Sequence, residues 1–255
     1  MNNSSYKIHA ALEVVARLAE HRGGDPALTR ASTEVKRLQA RRFHGTYADL
    51  LRNPRYMTAA VFFLEELYSD KDFAQRDQQF ARIANTISRL FPQAVVDTAA
   101  ALAEVHALTE TLDDLMAREW LADQSALTAG SEGARYIRCW RRLGDAAARH
   151  QQLEVVLQLG RQLDRLTRTR GLRTLLKMMR RPAAVAGLNS LQHFLETGFD
   201  AFAEMRGADD FLKVVSERES GWIHALFEDE AAVCETRLRQ LLAADDPHGE
   251  NPLRN

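Results

Sequence analysis

With 255 residues, 45% of them hydrophobic and 27% charged, the chain has material for a sizeable core and the composition of an ordinary soluble globular protein. No run approaches the ~18 consecutive apolar residues of a membrane span, which excludes an integral helical membrane protein. The net charge of −1 hides an asymmetry: thirteen Lys/Arg oppose three acids between residues 135 and 181, leaving 21 basic and 32 acidic residues elsewhere.

The start, MNNSSYKIHAALEVVARLAEH, has neither a basic opening nor a continuous apolar core, so no signal peptide is expected. A first helix follows Ser4-Ser5, sets Ile8, Leu12, Val15 and Ala19 on one stripe, and stops at Gly23-Gly24. A second covers roughly Pro26 to Phe43, and a short one opens at Thr46. Asn53-Pro54 reads as an N-cap with proline at the first helical position, launching PRYMTAAVFFLEELYS. Asp72 is expected to cap a helix running to Phe91, and Pro92 to start a long one from Gln93 to about Ala122. Beyond the loop DQSALTAGSEG, helices are predicted from about Glu132 to Leu143, Ala146 to Thr169 and Leu172 to Arg180. Pro182 begins another to about Met205, and Asp209 caps a stretch to about Ala243 that Gly221 interrupts or kinks. Strand alternation and hairpin dipeptides are absent. The expectation is an all-α bundle of about nine or ten helices in a single domain, residues 1–243. Its best point of subdivision is near 123–132, with residues 244–255 a disordered tail. Cys139 and Cys234 sit alone in helical patterns and read as reduced thiols of a cytoplasmic protein.

Several charges fall on apolar faces. On the helix before residue 70, Glu66 lies between Phe62 and Phe63, and on the next one Arg76 and Asp77 flank the stripe of Phe73, Phe80 and Ala84. A tight hairpin about residues 70–71 would set Glu66 opposite Arg76 as a charge clasp, with Asp77 bridging nearby. The long helix carries His106, Glu110 and Asp113 at i, i+4, i+7, along a face that also holds Val105, Leu112 and Met116. Inward carboxylates and histidines of this kind build bundle metal sites or proton relays, although a structural core network gives the same pattern. Arg218, Glu219 and Asp229 lie near the stripe of Phe211, Val215, Trp222 and Leu226. If these groups meet, the core contains a polar chamber whose catalytic candidates are His106, Glu110, Asp113, Glu66, Arg76, Asp77 and Arg218. No metal is expected: His106 and Glu110 are weak ligand candidates, and no His-Glu-x-x-His, Glu-x-x-His or cysteine cluster accompanies them. No nucleotide fingerprint or nucleophile elbow is present, and no cofactor is implied.

In the basic segment Arg135, Arg138 and Arg142 share one helix face, and Arg161, Arg165 and Arg168 another. Such faces suit an anionic ligand or nucleic acid, but the acidic helices from about Leu195 to Glu235 offer internal neutralisation, which disfavours the nucleic-acid reading.

FFLEELYSDKDFAQRD at 62–77 and RRPAAVAGLNSLQHFLETGFDAF at 180–202, with the spacing between them, resemble a family of uncharacterised bacterial all-α proteins. The resemblance covers about Arg55 to Leu226 and implies no activity, cofactor or catalytic residue. Within the second stretch, Gly198 on the apolar face with Leu191, Leu195 and Phe202 signals close helix approach. Three functions fit the sequence, in this order. The first is a binding protein, acting as a homodimer or with a protein partner and without a membrane. The second is an enzyme or small-ligand or metal-binding bundle around His106. The third is an anion or nucleic-acid binder using residues 135–181.

Overall fold

The computed structural model describes residues 3–66, 73–123 and 131–244, which form helices and no strand. In chain order these are α1 (Asn3–Gly23), α2 (Pro26–Thr46), α3 (Ala48–Arg52), α4 (Met57–Glu66), α5 (Ala74–Leu90), α6 (Gln93–Ala122) and α7 (Glu132–Leu143). They continue as α8 (Ala146–Thr167), α9 (Leu172–Met178), α10 (Arg180–Val185), α11 (Asn189–Met205), α12 (Asp209–Phe227) and α13 (Ala231–Ala244). The Asp72 cap, the turn at 70–71 and nearly all of the expected tail lie outside the described residues.

The described residues thus hold more helices than nine or ten, and local chemistry explains the extra breaks. The helix expected from Pro182 to Met205 divides at Gly187, whose φ of +67° is the left-handed conformation that glycine adopts freely. Leu188 N–H bonds to Ala183 O at 2.8 Å and Gly187 N–H to Ala184 O at 3.1 Å, the two bonds of a Schellman cap. In the last segment Gly221 does not break the chain, since it lies inside α12. The interruption falls at 228–230, where Arg141 Nε donates to Leu226 O at 3.0 Å and so satisfies a helix-end carbonyl. Asn53-Pro54 forms a turn and not a first helical residue: Asn53 Oδ1 accepts from Arg55 N–H at 3.0 Å, and α4 begins at Met57.

The thirty-residue α6, about 45 Å long at 1.5 Å per residue, is the axis of the fold. Its first half packs with α1, α5 and α11 around Ile8, Phe80, Val96 and Leu191. Its second half joins α2, α7, α12 and α13 around Leu28, Met116, Tyr136 and Trp222, so α6 and α7 share one cluster across the expected division at 123–132. A third cluster gathers α4, α8, α11 and α12 around Phe63, Leu157, Phe202 and Phe211. Helices α4 and α5 do not lie along one another. Their principal neighbours are α3 and α11 for α4, and α1 and α11 for α5, so the expected tight hairpin is replaced by two helices sharing α11.

Glycine sets one of the closest contacts. A Cβ on Gly45 would stand 2.8 Å from Leu241 O and 2.9 Å from Leu241 Cβ, so α13 rests directly on the α2 backbone. Because backbone cannot swing aside, Gly45→Ala is expected to cost about 1–3 kcal/mol. Urea unfolding checks this, and a midpoint equal to wild type would mean that α13 shifts freely.

Candidate functional site

Helix α2 shows how a charge reaches the interior. Leu28, Ala31, Val35 and Leu38 form its buried stripe, and the next position on that stripe is Arg42, which is only 3% exposed. Arg42 Nη1 donates to Glu219 Oε1 at 3.3 Å and Nη2 to Oε2 at 2.8 Å, while the Tyr47 hydroxyl donates to Oε1 at 2.8 Å. The Phe43 ring stacks 4.1 Å from the guanidinium. Burial alone would lower the Arg42 pKa, but Glu219, Tyr136 and Tyr47 outweigh it and hold it raised.

Helix α8 brings in a second arginine with a different fate. Arg149 lies two turns before Val156 and is 8% exposed. Its Nη1 donates to Gln152 Oε1 at 3.3 Å and its guanidinium lies 4.4 Å over the Trp140 ring, yet it forms no ion pair among the described residues. Burial lowers its pKa, and Tyr136 and Asp113 only partly oppose that. Helix α7 supplies Tyr136 and Trp140, α12 supplies Glu219, and α6 turns His106, Glu110 and Asp113 toward the same space. Together they enclose a polar chamber of about 60 Å³.

The two α6 carboxylates behave in opposite ways. Glu110 accepts from Arg22 Nη2 at 2.7 Å and from Lys36 Nζ at 2.5 Å. Burial pushes its pKa up, but Lys36, Arg22 and His106 together pull it below the ordinary glutamate range. Asp113, three residues on, has only Lys36 at 4.0 Å as an ion-pair partner among the described residues. Burial raises its pKa, Glu110 adds to the rise, and Lys36 and Arg149 counteract part of it. The signs give a paired prediction. Glu110→Gln should cost about 1.5–3 kcal/mol at neutral pH, a loss that disappears as pH falls through the depressed folded pKa, below about 4.3. Asp113→Asn should gain on the wild type as pH rises through the elevated folded pKa, above about 3.9, because the native carboxyl is stabilised in its neutral form. Unfolding free energies of the three proteins from pH 3.5 to 8 check this, and parallel curves would contradict it.

A second network leads away from His106. His106 Nε2 lies 2.8 Å from Asp77 Oδ2, and Arg76 Nε donates to Asp77 Oδ1 at 3.4 Å. Arg76 Nη1 donates to the Glu66 backbone carbonyl at 3.0 Å, with the Glu66 carboxylate 3.9 Å away. The Glu66–Arg76 contact therefore runs mainly through backbone. Arg76 is sandwiched between Phe73 at 4.1 Å and Phe194 at 4.7 Å, and burial lowers its pKa despite Asp77 and Glu66. A cavity of about 40 Å³ touches both His106 and Arg76.

Other candidates fall elsewhere. Arg218 turns outward to Asp49 at 2.6 and 2.8 Å, so of the α12 trio only Glu219 enters the chamber. Asp229 lies 3.6 Å from His224. Arg138 and Arg142 both bind the buried Asp123, each at 2.9 Å, and Arg135 bonds Trp120 O while stacking on the Trp120 ring. Arg161 lies 3.7 Å from Glu154, Arg168 pairs with Asp164, and Arg165 is exposed. The arginine face is thus largely engaged internally. Among the described residues no three His, Cys, Asp or Glu side chains are grouped to hold a metal. His106 and Glu110 make poor ligands, because Asp77 occupies the imidazole Nε2 and two cations occupy the carboxylate. Cys139 is no activated nucleophile either: burial, with Asp123, pushes its thiol up to about 11.

A larger space lies on the other side of α6. Helices α6, α8 and α11, closed on one flank by α9 and α10, surround a cavity of about 180 Å³. Phe62, Leu102, Leu159, Leu163, Phe194 and Phe199 are typical of its wall. Its two polar liners are satisfied within the protein: the Thr98 hydroxyl donates to Ala94 O at 2.7 Å, and Gln192 Nε2 donates to Leu176 O at 2.8 Å. Gly198 stands at this wall, where a Cβ would come 2.7 Å from Phe62 Cζ, so the close approach expected from its position is made to an aromatic ring.

Sequence patterning missed Lys36, Arg42, Tyr136, Trp140 and Arg149 as chamber residues. The usable signal was that Arg42 and Arg149 continue apolar stripes, the same reason that singled out His106. For the apolar cavity there was no signal, since its liners are ordinary core residues. A family model described as a domain of unknown function (DUF8198) matches residues 18–233. No curated protein and no solved structure matches the chain.

Proposed function

We propose, for a chain that belongs to the DUF8198 family and inherits no activity from it, that the protein binds a small apolar molecule in the cavity between α6, α8 and α11. The cavity itself carries this reading. An unfilled apolar space costs about 24 cal/mol per Å³, or about 4 kcal/mol for 180 Å³, against total stabilities of about 5–15 kcal/mol. A ligand at a hundred times its Kd returns about 2.7 kcal/mol of that. Engineered cavities of ~150 Å³ lined by Leu, Ile and Phe stay dry and take up benzene. With Thr98 and Gln192 already bonded, the wall offers apolar contact and no free donor, so the ligand is hydrocarbon-like.

This is the small-ligand reading of the bundle, relocated from the His106 cluster to the apolar side of α6. A homodimer or adaptor role has less support, since the exposed large apolar residues of the described chain are few and spread over α1, α4, α6, α9, α10 and α13, with at most two on any one helix. The pairing of Arg138, Arg142 and Arg168 with acids weighs against a phosphate polymer. A reducing, cytoplasmic setting belongs to the proposal and is supported by two buried unpaired thiols. No helix in the described residues is long and apolar enough to cross a membrane.

Titration with the fluorescent apolar probe N-phenyl-1-naphthylamine tests the proposal. One saturable site per chain with enhanced, blue-shifted emission is expected. Linear, unsaturable emission would overturn it.

A further inference from the structure

In the polar chamber, donors outlast acceptors. Glu219 spends its carboxylate on Arg42 and Tyr47, and Glu110 spends its own on Arg22 and Lys36. Among the described residues four chamber side chains nevertheless keep a buried polar atom with no hydrogen bond within 3.5 Å: Arg42 Nε, Arg149 Nη2, and Trp140 Nε1 and Tyr136 Oη, which lie near one another. The first three can only donate, and the fourth can. All four side chains are more than nine-tenths buried. One buried orphan is a local oddity; several around one cavity, one of them on a guanidinium with no ion pair among the described residues, point to a missing acceptor.

We propose that this chamber binds a short-chain carboxylate, held by Arg149 with Arg42, Tyr136 and Trp140. Charge selects the class. Lys36, Arg42 and Arg149, with Arg22 behind Glu110, outnumber the two engaged carboxylates Glu110 and Glu219, and burial biases the third acid, Asp113, toward its neutral form. This surplus of positive charge suits an anion, and the apolar part of the lining suits a carboxylate with a hydrocarbon end better than phosphate. Size selects the length: about 60 Å³, at 10–15 Å³ per water, admits roughly four to six water-sized groups. Phe43, Phe73, Leu153 and Ile223 give the hydrocarbon end an apolar surround. The site is separate from the apolar cavity, with which it shares no lining residue, and does not depend on it.

Thermal unfolding in carboxylate- and phosphate-free buffer tests the proposal, comparing sodium butyrate with sodium chloride at equal ionic strength. Butyrate is expected to raise the wild-type Tm saturably. Arg149→Met should abolish that response while its own Tm stays equal to or above wild type, because a buried cation without a counter-ion has been removed. Trp140→Phe, which keeps the ring and loses the N–H, should weaken butyrate about tenfold, and it decides the matter if Arg149→Met does not fold. The proposal is overturned if butyrate has no effect beyond chloride, if both variants respond like wild type, or if inorganic phosphate matches butyrate.

Discussion

Replacing Arg42 with methionine should cost about 3–5 kcal/mol. The reason is what stays behind. Glu219 would keep the Tyr47 hydroxyl but lose both guanidinium bonds, leaving a largely buried carboxylate without its counter-ion. The pair itself adds little net stability, because removing both charges from water offsets much of their attraction. Hence Arg42→Met with Glu219→Gln should recover most of the loss, and chemical denaturation of the two single variants and the double variant measures that recovery. Losses that simply add would mean that the two residues act independently.

The second large effect concerns binding. Ala99 faces the apolar cavity from α6, and Ala99→Phe places an aromatic ring inside it. Because the space is already open, filling it should raise Tm, whereas the same substitution in a tightly packed core would cost about 1–3 kcal/mol. Affinity for N-phenyl-1-naphthylamine should fall by at least about a hundredfold, since the probe and the new ring compete for the same volume. Ala183→Leu, from the α10 side of the wall, should do the same more weakly. Stability and binding thus move in opposite directions. If both fell together, the variant would have damaged the fold and the cavity would be no binding site.

How much of this was legible in the sequence depends on the physics of each feature. Proline, glycine and capping residues act within a turn of the chain, so α6, bounded by Pro92 and Asp123, and α7, capped by Ser131 and ended by Gly144, could be read closely. The break at Gly187 and the one after Phe227 were harder, because a single glycine is compatible with continuing or stopping, and the second break is held by Arg141 from another helix. Helical periodicity correctly put His106, Glu110 and Asp113 on one inward face. It could not say that Glu219 turns to Arg42 while Arg218, one residue earlier, turns to Asp49, since both sit beside the same stripe and the neighbouring helices decide. Arginines 42 and 149 obeyed the very rule that singled out His106, but a long charged side chain can snorkel from such a position, and it is partners on other helices, Glu219 for Arg42 and the Trp140 ring for Arg149, that keep them in. The apolar cavity was invisible in principle: a stripe of Leu and Phe is the same whether its partners touch or leave a gap.

A crystal structure of the protein under xenon gas would probe the cavity most directly, because xenon enters dry apolar spaces of this size. Xenon is expected between Leu102, Leu159, Phe194 and Phe199, with little movement of the side chains around it. Side chains collapsed into that space, with no xenon between α6, α8 and α11, would contradict the proposal that this protein holds an apolar ligand.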